Sequence, residues 1–385
     1  MSQTRHISAL ALLVALSLLL TSCSGGPTKG DLTVYVAVPL SGWQADGGQT
    51  VVGGARLAAE QLNKSGGLLG YKVNIVPVDD EADSDVAAEV AQSVAEAVRS
   101  GERVLGVIGH YNSGQAAVAM QTYKDLPLIV ITPTASDPAL TQSGFANFFR
   151  VNSTDAAQGP YDADYLVNVL GARRIAIVYA ENDYGRGLRD QVVPALQHLG
   201  HAAVAVVGIE EAAATYVQAL PSILEHTPAP DAVFLAGYET EGYVLVPELR
   251  EAGFEGIIMC SDGCLPYDFV DVSGPAAEGV YVSAIAADSK SVADQAWTQA
   301  YRKLETRNPG THSAVGYSAL MVMAEGAKKA KSLDADAIAA ALHEISVSTL
   351  VGTLRYDANG DLVEQRVFMF RVEDGDFVPV KDTRQ

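Results

Sequence analysis

Val104–Gln115 reads VLGVIGHYNSGQ, and Leu126–Leu140 reads LPLIVITPTASDPAL. Each begins as a short run of Val, Ile and Leu and then turns into a helix start. The first run ends near Gly109, with a helix opening near Ser113. The second ends after Ile131, and Asp137-Pro138 marks its helix, with Asp as N-cap and Pro in the first turn. Both loops therefore carry free backbone N–H groups at the carboxyl ends of strands. In open α/β sheets ligands bind at those ends, and the partial positive charge of a helix start favours an anion.

The same alternation runs outward along the chain. Leu32–Val38, Lys72–Val78, Arg174–Tyr179, Asp231–Leu235, Gly256–Met259 and Gly279–Ser283 are further apolar runs. They lack polar alternation, which suits parallel strands buried on both faces. Helical spacing fills the gaps between them. In Asp83–Arg99, for instance, Val86, Val90, Val94 and Val98 recur every four residues, and Gly101 follows as a stop. Repeated β-α-β units imply parallel sheets covered by helices on both sides. There are too many strands for one sheet of this size, so the expected fold is α/β with two doubly wound parallel-sheet lobes. The tail differs, with turns at Asn359-Gly360 and Asp374-Gly375 that read as hairpins.

The 385 residues suit two domains, and 48% hydrophobic residues suffice for two cores. With 26 Lys and Arg against 46 Asp and Glu, the net charge is −20, which disfavours nucleic acid as a partner. Arg5 and His6 precede an apolar run, Ile7–Leu20, broken only by Ser8 and Ser17. Residues 1–22 read as a secretory signal, too short for a comfortable membrane span. Leu20-Thr21-Ser22-Cys23 resembles the lipobox of bacterial lipoproteins, which implies lipidation at Cys23 and a flexible tether over 23–30. That places the protein in the cell envelope outside the cytoplasm, lipid-anchored, periplasmic or at the cell surface. Cys260 and Cys264 would meet an oxidising compartment there, as a disulfide or as two free thiols.

Enzyme signals are missing. No G-x-x-x-x-G-K-[ST], H-E-x-x-H or G-x-S-x-G occurs, and the seven histidines are scattered. His198 and His201 flank a helix break, so no metal pair is expected. Asp357-Ala-Asn359-Gly-Asp361 lacks the later Glu of a calcium loop and reads as a turn. No cofactor and no metal are expected. An envelope hydrolase would need a nucleophile, base and acid together, and the sequence offers no such set.

Val107–Gly114 (VIGHYNSG), Ile131–Leu140 (ITPTASDPAL), Gln158–Tyr165 (QGPYDADY), Arg174–Gly187 (RIAIVYAENDYGRG), Ala276–Gly279 (AAEG) and Val351–Leu362 (VGTLRYDANGDL) resemble, in order, segments of the leucine/isoleucine/valine-binding proteins. Those are substrate-binding subunits of ABC transporters with the type I periplasmic binding fold. The resemblance implies two lobes joined by a three-strand hinge. Lobe one takes 31–154 and 286–350, and lobe two takes 155–285 and 351–385. It also implies a monomer that closes on a free amino acid and delivers it to a permease in the cytoplasmic membrane.

Carried over residue by residue, Ser113 and the backbone of Ser136 would meet the α-carboxylate. The Thr134 carbonyl, the Ser136 hydroxyl and Asp262 would meet the ammonium. Tyr184 and Tyr238 would cover the ligand side chain. This chain departs from the family in several places. Asp262 replaces a usual Glu. Gly47 stands where an aromatic is common, with Trp43 as its expected partial replacement. His312 falls near an aromatic of the back wall. Asp83 and Asn112 occupy the positions of the family's first-lobe disulfide, so Cys260 and Cys264, if bonded, would stiffen the Asp262 loop instead. A receptor of the same fold for an amide, urea or aromatic acid, serving transport or a sensor, is the alternative.

Overall fold

The Val- and Ile-rich runs become strands of two sheets in the computed structural model, which describes residues 26–381. The signal segment, Cys23 and the start of the tether lie outside the described residues. The first sheet contains β1 (Asp31–Val38), β2 (Lys72–Asp79), β3 (Val104–Gly109), β4 (Ile129–Thr132) and β5 (Phe148–Arg150). Its order is β2-β1-β3-β4-β5, parallel throughout. The second sheet opens with β6 (Ile175–Ala180), β7 (Ala205–Ile209), β8 (Ala232–Ala236), β9 (Ile257–Cys260) and β10 (Tyr281–Ala284). A small hairpin, β11 (Val347–Thr349) and β12 (Gly352–Leu354), stands apart from both sheets. Then β13 (Phe368–Glu373) and β14 (Asp376–Pro379) complete the second sheet in the order β14-β13-β10-β9-β8-β6-β7. Only its last two strands run antiparallel, and their turn places Asp374 and Gly375 at positive φ, as the Asp-Gly signal predicts.

Alternation along β1 shows why both faces must be covered. Leu32, Val34, Val36 and Val38 join one core with Val51, Ala55, Val315, Ala319 and Met323. Tyr35 and Ala37 join another with Val90, Val94, Ala116 and Met120. Each fully buried aliphatic side chain contributes about 1.5–3 kcal/mol. The helices Ala45–Lys64 and Ser313–Ala330 touch backbone to backbone. A Cβ on Gly54 would stand 1.9 Å from the Ser313 carbonyl oxygen, and one on Gly316 2.2 Å from that of Val51. This close crossing fixes the helix starts that carry Gly47 and His312. Two further cores line the second sheet.

Three crossings join the lobes, and Ser153 binds all of them together. Its N–H donates to the Ile285 carbonyl (2.8 Å), its hydroxyl donates to the Arg366 carbonyl (2.8 Å), and the Arg366 N–H donates back to Ser153 Oγ (2.8 Å). The third crossing falls later than the sequence suggests. Leu354, Tyr356 and Leu362 pack into the first lobe's core, so residues 351–362 belong with lobe one and the chain passes to lobe two only after Leu362. The run reads as a hairpin in either lobe, and its apolar residues do not reveal which core they enter. Strands β5 and β7 were not foreseen either. One is three residues long and ends on a charge, and the other lies in an Ala-rich stretch at a sheet edge.

Candidate functional site

Both loops quoted at the outset end at the gap between the lobes. Ser113 is the first residue of the helix Ser113–Tyr123, and its Oγ accepts from the N–H groups of Ser136 and Asp137, each at 3.3 Å. Thr134 Oγ1 donates to the Tyr111 carbonyl (2.5 Å), and Thr132 Oγ1 donates to the His110 carbonyl (2.8 Å). Asn112 forms an amide pair with Gln44. The first loop is thus tied to the second, with N–H groups converging on one spot.

Arg150, at the end of β5, holds the second loop from beneath. It is fully buried and donates to the carbonyls of Ala135 (2.9 Å) and Asp137 (3.1 Å). Its charge is met by Asp361 at 2.7 Å. The acid of the calcium-like turn therefore serves an internal ion pair, while Asp357 Oδ1 accepts from the N–H groups of Asn359 and Asp361 as in a turn. Among the described residues no cluster of His, Cys, Asp and Glu is arranged for a metal.

The second lobe supplies the opposite wall. Tyr184 Oη donates to Asp262 Oδ1 at 2.5 Å. The Tyr184 and Tyr238 rings stack at 4.9 Å, and Trp43 of the first lobe tilts against Tyr238 at 5.6 Å. Glu241, in the first turn of the helix Glu239–Glu251, accepts from the Tyr238 N–H at 2.7 Å and so fixes the ring's backbone. Burial raises Asp262 above the usual carboxylate range, and the Tyr184 bond pulls it partly back. Burial and the nearby Asp262 raise Tyr184.

Ser113, Thr134, Ser136, Tyr184, Tyr238 and Asp262 all line one cleft of about 350 Å³, counting the space open to solvent. Tyr111, Asn112, Glu239, Pro266 and His312 line it too, and sequence reasoning gave only His312 among these a place in the pocket. The signal was adjacency: Tyr111 and Asn112 precede Ser113, and Glu239 follows Tyr238. The corner at Gly47 is filled by Tyr111, whose Oη lies 2.5 Å from where a Cβ on Gly47 would stand. Trp43 packs across the gap against Tyr238. Tyr111 Oη lies 2.8 Å from His312 Nδ1, and burial pushes His312 down to about 4, so the ring is neutral at pH 7. Cys260 and Cys264 are buried free thiols, the second donating to the Tyr238 carbonyl at 3.5 Å. Asp83 caps the helix Ser84–Arg99 through the N–H groups of Asp85 and Val86.

Two doubly wound lobes around a cleft, with N–H and hydroxyl donors on one wall and an acid on the other, define a binding protein for a small polar ligand. The model of the periplasmic binding protein family matches residues 32–376, and the chain belongs to that family, whose members bind substrates for ABC transporters and are not enzymes. Leu/Ile/Val-binding protein homolog 1 of Brucella melitensis is 27% identical over 352 residues, covering 91% of this chain and 93% of that one. The leucine-, isoleucine-, valine-, threonine- and alanine-binding protein of Pseudomonas aeruginosa is 28% identical, covering 86% of this chain and 87% of that one. The crystal structure of a leucine-binding protein from Thermotoga maritima superposes with a TM-score of 0.81 at 25% identity, over 91% of this chain and 98% of that one. The resemblance to leucine/isoleucine/valine-binding proteins and the two-lobed α/β fold are both borne out.

Proposed function

We propose that this protein is a lipid-anchored, extracytoplasmic receptor that binds one free α-amino acid and hands it to an ABC permease. The observation that carries the reading is the polarity of the cleft: helix-start donors on lobe one face a carboxyl group on lobe two. A zwitterion taken out of water needs each charge paired. The carboxylate takes the Ser113 hydroxyl and the N–H groups of the Ser136 loop. These groups now bond to one another at 3.3 Å and would turn to the ligand. The ammonium takes Asp262, the Thr134 carbonyl and the Ser136 hydroxyl. Tyr184 and Tyr238 cover the side chain.

Binding begins on lobe one, and closure about the Ser153 crossing brings Asp262 over the ligand. Trp43 seals the mouth by crossing to Tyr238. The anchor is Cys23, and the receptor acts as a monomer. A thermal-shift screen against the common amino acids tests the reading. A ligand at 100 times its dissociation constant stabilises the fold by about 2.7 kcal/mol. No shift with any α-amino acid would end it.

A further inference from the structure

We propose that Glu239 makes this cleft selective for amino acids whose side chain ends in a cation. This rests on the amino-acid reading above and names the class of side chain.

The cleft wall holds two acids, Asp262 and Glu239, and among its described lining residues no Lys or Arg. A ligand's ammonium engages Asp262, which leaves Glu239 over. Glu239 is the first residue of its helix, only 2% exposed, and its carboxyl is met by its own backbone N–H. The charges that act on it most strongly are all acidic: Glu241, Asp268 and Asp46. Asp46 is itself paired with Arg307 at 3.0 Å.

The two other groups at this end point the same way. Glu239 is the strongest charged neighbour of Tyr111, whose hydroxyl is already paired with His312. Tyr111 and Tyr238 present aromatic rings, and ring faces attract cations. An aliphatic side chain of leucine type would leave the buried Glu239 carboxyl with no cation to meet it, held above the usual carboxylate range by burial and by the acids around it. A terminal ammonium or guanidinium would pair with it. Glu239 therefore works against apolar ligands as well as for cationic ones.

Calorimetry on the mature chain tests this with L-lysine and L-norleucine, which share a carbon skeleton and differ in the terminal ammonium. L-ornithine and L-arginine extend the series in length. At least one basic amino acid should bind about tenfold or more tighter than norleucine and leucine, the size expected of a close, desolvated charge pair. In Glu239→Gln that ratio should fall toward one. Norleucine or leucine binding as tightly as every basic amino acid in the wild type would overturn the proposal while leaving the amino-acid receptor intact. A ratio unmoved by Glu239→Gln would also overturn it. Silence of all five ligands on folded protein would overturn this proposal, while the amino-acid reading would stand or fall with the thermal-shift screen.

Discussion

Tyr184 and Asp262 share a 2.5 Å hydrogen bond in which the phenol donates to the carboxyl of the cleft. The two come from different elements of lobe two, the helix Asp183–His198 and the turn after β9. The bond orients the acid, which the Gln158 side chain and the acid's own backbone N–H also meet. Asp262→Ala should cost roughly 3–5 kcal/mol of affinity, because it strands a buried ammonium. Tyr184→Phe keeps the acid and loses one hydrogen bond to a charged group, so about 1.5–3 kcal/mol is expected. Calorimetry with the best ligand checks both. A loss under tenfold for Asp262→Ala would take that residue out of the site.

Arg150 and Asp361 bring the tail of lobe one under the anion loop. Asp361→Ala leaves a buried guanidinium without its counter-charge, for which about 3–5 kcal/mol of lost stability is expected. Chemical denaturation measures it. Because Arg150 also holds the carbonyls of Ala135 and Asp137, ligand affinity should fall as well, although residue 361 does not line the cleft. A variant of full stability would mean that the pair is dispensable.

The two residues also show what the sequence reveals and what it hides. The sheets were legible because buried parallel strands leave apolar runs, and Val86, Val90, Val94 and Val98 mark a helix by spacing alone. Ser113 and the 134–136 loop were visible as strand ends followed by helix starts. Asp262, Tyr184 and Tyr238 came from the family resemblance, since an acid in a turn and two tyrosines carry no pattern of their own. Arg150 was invisible because its partner is 211 residues away, and a charge after two phenylalanines reads as the edge of a strand rather than its core. Glu239 reads as an ordinary acid in the first turn of a helix. Only the packing of two lobes shows that this turn faces a cleft.

The crossing of Ala45–Lys64 over Ser313–Ala330 admits no side chain at its contact points. Gly54→Ala and Gly316→Ala each place a Cβ within 2.2 Å of a carbonyl oxygen. The clash is with backbone, which has no rotamer to move, so each variant should lose at least about 1–3 kcal/mol. The helices must part, and with them the starts that carry Gly47 and His312. Equilibrium unfolding should show the loss, and ligand affinity should drop with it. Unchanged midpoints would mean that the helices separate more freely than their packing suggests.

Asp155 contributes to the pH dependence in the same direction as the buried Asp162 and Asp262, all three being raised by burial. It is fully buried at the hinge end of the helix Asp155–Asp164, and burial pushes it from 3.8 up to about 8. The folded chain therefore keeps a proton there that the unfolded chain releases above about pH 4. Where the folded state binds more protons, stability falls as pH rises. The contribution is fully present below pH 3.8 and is lost progressively up to about pH 8. His312 works the other way: its drop from 6.5 to about 4 removes stability as pH falls through that interval. Asp155→Asn carries no titrating proton, so its stability should decline less steeply between about pH 5 and 8 than the wild type's, by up to about 1.4 kcal/mol per pH unit. Denaturation midpoints at several pH values measure both slopes. Parallel curves for the two proteins would show that Asp155 is ionised throughout and that another buried acid carries the dependence.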